Sequence, residues 1–127
     1  MQEIKLHIWD TGGQEQFRSM TSLYFRDADA ALICYDVGQA RTFDSISYWA
    51  EQMDKNCNKP RDEYVLACAG NKCDLEDSKK QVPLSQASAK SKELGMIFHE
   101  TSAKSGTGVD DLFNDLIREI IISKRRQ

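Results

Sequence analysis

Apolar positions in this chain form two kinds of run, short strand-like stretches and longer stretches with helical spacing, and the two alternate. From Glu3 to Asp10, Ile4, Leu6 and Ile8 alternate with their neighbours, the period of a half-buried strand. A largely polar segment runs from Thr11 to Asp29, with Phe17, Met20, Leu23, Tyr24 and Phe25 set among polar residues. Ala30 to Tyr35 is continuously apolar, which predicts a strand buried on both faces in a parallel sheet. Thr42 reads as the N-cap of a helix that carries Phe43, Ile46, Trp49, Ala50 and Met53 on one face. Pro60 and the charges around it predict a loop, and Tyr64 to Gly70 a further strand. Ser85 reads as the cap of a short helix ending at Gly95, and Met96 to Thr101 as the last strand. Val109, Leu112, Phe113, Leu116, Ile117, Ile120 and Ile121 make a helical stripe, read as a core face rather than a partner-binding one.

Strands alternating with helices predict an α/β fold with a layered parallel sheet and right-handed crossovers. In such sheets ligands bind beyond the carboxyl ends of the strands. Three polar segments follow strand-like runs and so fall at such ends. The first is Trp9-Asp10-Thr11-Gly12-Gly13-Gln14. An Asp there can reach a Mg²⁺ shell, a Gly lets backbone N–H approach a phosphate, and a Gln can orient a water. A plain polar turn is the competing reading of that segment taken alone.

The second segment is Asn71-Lys72-Cys73-Asp74, and the third is Glu100-Thr101-Ser102-Ala103-Lys104. Together they suit a guanine base. The Asp74 carboxylate can accept from N1–H and the exocyclic amine; adenine offers no such donor pair and would leave a carboxylate unpaired. The Lys72 stem can cover the base or ribose, the Ala103 N–H can donate to O6, and Lys104 can cover the other face.

Composition narrows the field. The 127 residues are expected to form one domain, 1–127, with a modest core. A net charge of −3 without a basic stripe argues against nucleic acid as a partner. The basic run Lys124-Arg125-Arg126 is expected to close a helix C-terminus. No apolar run approaches a membrane span, and the N-terminus has no signal-peptide pattern. Cys34, Cys57, Cys68 and Cys73 lack metal-ligand spacing; Cys34 and Cys68 are expected to be buried small hydrophobes, which fits a reducing compartment.

Beyond these segments, Lys5-Leu6-His7-Ile8-Trp9, Phe17-Arg18-Ser19-Met20-Thr21, Tyr24-Phe25-Arg26-Asp27-Ala28 and Ile33-Cys34-Tyr35-Asp36-Val37 resemble the Rab branch of the Ras superfamily of small GTPases. The resemblance runs from Ile4 to about Ser123. It implies the P-loop small-GTPase layered fold, a GTP- or GDP-binding switch with Mg²⁺, and a role in vesicle and membrane traffic. It also implies effector, exchange-factor and GTPase-activating partners, and a cytoplasmic protein whose lipidated form is peripheral on membranes. In that reading Gln14 positions the attacking water, Asp10 serves the metal's outer shell and Gly13 N–H contacts the γ-phosphate. Asn71, Lys72, Asp74, Ser102, Ala103 and Lys104 hold the base.

The chain departs from the family at Gly12, where Ala is usual, and contains no Gly-x-x-x-x-Gly-Lys-Ser/Thr phosphate loop. The expectation is an N-terminally truncated form without the first switch, inactive as a hydrolase and retaining no nucleotide. It ends without the cysteines that carry a prenyl anchor. A missing strand beside Ile4–Ile8 and Ala30–Tyr35 would leave apolar edges and favour a homodimer. The rival to a GTP switch is a non-catalytic interaction module on the same scaffold. A flavodoxin-like or dehydrogenase domain is disfavoured, because no Gly-x-Gly-x-x-Gly occurs.

Overall fold

The computed structural model describes residues 25–125. The Glu3–Asp10 strand and the expected roles of Asp10, Gly13 and Gln14 lie outside these residues, as do Gly12, Phe17 and Tyr24. The described elements run β1 (Ala30–Asp36), α1 (Ala40–Asp44), α2 (Ile46–Asn56), β2 (Val65–Asn71), α3 (Leu84–Glu93), β3 (Ile97–Glu100) and α4 (Val109–Arg125). The three strands lie in the order β1-β2-β3, all parallel. Tyr35, Gly70 and Glu100 therefore share one row across the sheet, and Cys34, Ala69 and His99 the next. The described residues thus have the small-GTPase-like α/β architecture with a parallel sheet expected from the alternating pattern.

Alternation along the strands decides which helix covers which face. Ile33, Tyr35, Leu66 and Cys68 pack with Phe43, Ile46, Ala50, Met53, Val82 and Ala87 on one face. Val65, Ala67 and Ala69 meet Leu112 and Leu116 of α4 on the other. The α4 stripe is thus core: Leu112 and Leu116 are buried, and Phe113 and Ile120 pack partly against them. Burial of each such side chain is worth about 1.5–3 kcal/mol. Phe25 also joins the first face, edge-on to Trp49 at 6.4 Å.

Four local expectations are corrected. Thr42 is not an N-cap: α1 starts earlier, after Gln39. The Thr42 hydroxyl instead accepts the Asp36 N–H at 2.9 Å and donates to the Gln39 carbonyl at 2.7 Å, fastening the helix to the end of β1. The expected single helix breaks at Ser45 into α1 and α2. Ser85 lies inside α3, whose cap is Pro83. The fixed φ of Pro83 (−63°) delivers the chain extended, and its carbonyl accepts the N–H groups of Gln86 and Ala87. Cys34 is exposed rather than buried. It sits on the α4 face at the β1 side, whereas α4 packs over β2 and β3. Cys68 is buried as expected, with its thiol pKa pushed up to about 12 by burial.

Gly95 does end α3. With φ +68° it turns the chain, its N–H reaches Lys92 O, and Met96 N–H reaches Ser91 O at 2.8 Å. That paired bonding closes a helix through a left-handed residue. In α4, Asp110 and Asp111 occupy the first turn, and Lys124 and Arg125 the last, each matching the helix dipole. Lys124 also reaches Asp29 at 3.2 Å.

Candidate functional site

The loops after β2 and β3 meet at the carboxyl end of the sheet. Backbone bonds align them first: Thr101 N–H donates to Gly70 O at 2.8 Å, and Cys73 N–H donates to Thr101 O at 2.9 Å. Between these bonds Lys72 takes φ +66°, a left-handed conformation that reverses the chain and turns Asp74 toward the second loop.

Ser102 is fully buried and organises that second loop. Its hydroxyl donates to Asp74 Oδ1 at 2.7 Å and accepts Ser105 N–H at 3.0 Å. Its carbonyl accepts Gly106 N–H at 2.7 Å, and its own N–H donates to Thr107 O at 3.0 Å. Asn71 spans the loops too, its Oδ1 accepting Ala103 N–H at 3.2 Å. Asn71, Lys72, Asp74, Ser102, Ala103 and Lys104 are thereby drawn from two segments of sequence to one end of the sheet, with Ser102 buried beneath the others.

Asp74 is exposed, with one oxygen held by Ser102. That hydrogen bond holds its carboxyl below the usual carboxylate range; a small desolvation opposes it, and its own N–H, Lys104 and Lys80 assist. The result is an ionised, oriented carboxylate able to take donors from a planar ligand edge.

Two arrangements differ from the simplest expectation. The Ala103 N–H, expected to face guanine O6, is engaged by Asn71 Oδ1. The Lys72 ammonium pairs with Asp36 Oδ2 at 2.9 Å. Asp36 is not among the residues that the sequence singles out for the site. The available signal was its position, an acid closing an apolar strand just as Asp10 does. Burial raises the Asp36 pKa, but the Lys72 and Gly38 hydrogen bonds outweigh it, and the carboxyl titrates below its ordinary value.

Among the described residues no His, Cys, Asp and Glu group could hold a metal ion, and the metal candidate Asp10 lies outside them. Nor is any described helix long and apolar enough to cross a membrane.

Fold and site together define a parallel α/β protein whose ligand face is built from loops after successive strands. The Ras family model matches residues 1–122. Similar proteins include "Ras-related protein RABA5b" of Arabidopsis thaliana, 42% identical over 125 residues, covering 98% of this chain and 56% of the relative. "Ras-related protein Rab-13" of Canis lupus familiaris is 39% identical over 120 residues, 94% of this chain and 57% of the relative. "GTP-binding protein ypt2" of Schizosaccharomyces pombe is 42% identical over 117 residues, 92% of this chain and 56% of the relative. The chain belongs to the Ras family and is of the Rab type. It spans about half the length of the curated relatives it matches.

Proposed function

We propose that this chain supplies the guanine-reading part and second switch of a Rab-like small GTP-binding protein that acts as a molecular switch in vesicle and membrane traffic. The observation that carries the reading is the Ser102–Asp74 hydrogen bond, which orients an ionised carboxylate between loops matching the family's base motifs. In this reading Asp74 accepts from guanine N1–H and the exocyclic amine. Entry of the base transfers the Ala103 N–H from Asn71 Oδ1 to O6. The Lys72 and Lys104 stems cover the ring. Asp10, Gly13 and Gln14 serve the metal, the γ-phosphate and the attacking water. Phosphates and Mg²⁺ require the phosphate-loop motif, which these 127 residues do not contain. GTP hydrolysis, effector, exchange-factor and activating partners, and a cytoplasmic, membrane-peripheral location are proposed for the complete switch.

Base contacts without phosphate contacts give weak binding. Isothermal titration of the 127-residue chain with GDP should show no submicromolar site, and GTP turnover should stay at background. Submicromolar GDP binding would contradict this.

The alternative is a non-catalytic interaction module on the same scaffold. We further propose self-association of this chain. Its support is the general rule that an apolar strand edge without a neighbour recruits another strand. Light scattering that finds only monomer from micromolar to millimolar concentration would remove that proposal.

A further inference from the structure

The left-handed backbone of Lys72 is the one such conformation outside glycine among the described residues. It is disfavoured for any residue with a Cβ and persists where surrounding contacts impose it. Three contacts join its loop to the turn after β1. Val37 N–H donates to Asn71 O at 3.0 Å. Gly38 packs so closely on Leu75 that a Cβ there would lie 2.8 Å from Leu75 Cδ1. The third is the Lys72–Asp36 ion pair, in which the Asp36 side chain is only 16% exposed.

Asp36 is itself fixed from both sides. Its Oδ1 accepts Gly38 N–H at 2.8 Å, and its own N–H donates to Thr42 Oγ1 at 2.9 Å. The carboxylate thus comes from a rigid turn, and Lys72 comes to it. Anchoring the ammonium sets the course of the four-carbon stem and opposes relaxation of the backbone out of the left-handed region.

We infer that Asp36 is a positioning residue of the base site: without contacting the base, it holds Lys72, and through Lys72 the presentation of Asp74. The link to guanine rests on the proposed function above; the link to loop geometry does not.

Asp36→Asn separates the roles of the two oxygens. The amide oxygen still accepts Gly38 N–H, while the group facing Lys72 loses its charge. In the ligand-free chain, NMR amide exchange at Cys73 and Asp74 should accelerate about fivefold, the population change that loss of about 1 kcal/mol implies. Lys72→Met, which keeps a stem and removes the charge, should do the same, and the double variant should add little to either. Asp36→Glu should retain most of the protection. Guanosine monophosphate should bind Asp36→Asn about fivefold more weakly, with its preference over adenosine monophosphate reduced but not reversed. Asp74→Asn should lose the preference while leaving Cys73 exchange unchanged. Unchanged exchange in both Asp36→Asn and Lys72→Met would overturn the inference. Accelerated exchange in a chain with no guanine preference would support the positioning role and remove the guanine reading alone.

Discussion

The Tyr35 ring occupies the space that a side chain at Gly70 would need. A Cβ at position 70 would lie 2.4 Å from the Tyr35 hydroxyl oxygen and 2.7 Å from Cζ. Strand pairing makes the two residues neighbours, and Gly70 immediately precedes the base-site segment. Gly70→Ala should therefore destabilise the fold by about 1–3 kcal/mol through overpacking. Chemical denaturation checks this; an unchanged midpoint would mean that the ring moves aside freely.

Tyr35 makes a second prediction. Its hydroxyl is buried and has no hydrogen-bond partner among the described residues. Burial, followed by the charges of Cys68 and Glu100, pushes its pKa up. Tyr35→Phe removes a polar atom that gains nothing from the fold, so stability should be unchanged or higher. A loss above about 1 kcal/mol would show that the hydroxyl has a partner in solution.

Glycines 106 and 108 should respond differently to alanine, though both have positive φ. At Gly106 nothing lies within 4 Å of a new Cβ, whereas at Gly108 the Glu100 carbonyl oxygen lies 2.2 Å away. Gly106→Ala should cost only the left-handed penalty, about 1–2 kcal/mol. Gly108→Ala should cost more, because a backbone atom must move at the junction of β3 and α4. Equal costs in thermal unfolding would contradict the packing described.

Acid should affect the base site late. Asp74, held by the Ser102 hydroxyl, and Asp36, held by Lys72 and the Gly38 N–H, both titrate below the ordinary carboxylate range. Groups with lowered folded pKa values stabilise fully above the unfolded value and lose that contribution as pH falls through the folded one. Loop protection at Cys73 should thus be constant from neutral pH down to about pH 5 and decline below about pH 4. Ser102→Ala, which removes the largest cause of the Asp74 shift, should move the Asp74 titration upward. Carboxyl-detected NMR measures both, and a decline centred near neutrality would contradict the assignment.

Much of this was legible in the sequence because its signals were periodic or local. The α4 stripe, the strand order along the chain and the Gly95 stop follow from spacing and from glycine's conformational freedom. Co-location of Asn71–Asp74 with Ser102–Lys104 followed from the rule that strand ends share one face. The failures involve competition between tertiary partners. Thr42 has the right hydroxyl for a cap, yet Asp36 N–H and Gln39 O claim it. Ser85 has the hydroxyl of a cap, yet the helix starts before it, where the Pro83 carbonyl accepts the Gln86 and Ala87 N–H groups. Cys34 lies in an apolar run, but no periodicity tells how far α4 extends over the sheet. The Asp36–Lys72 pair joins residues 36 positions apart and carries no local signature.

The central claim is that the paired loops read guanine. Its most direct test is an NMR titration of the 127-residue chain with guanosine monophosphate and, separately, adenosine monophosphate. The account predicts saturable shifts with guanosine monophosphate at the amides of Asp74, Ser102 and Ala103, and markedly smaller ones with adenosine monophosphate. Equal responses to the two, or guanine-dependent shifts confined to other parts of the sheet, would contradict it.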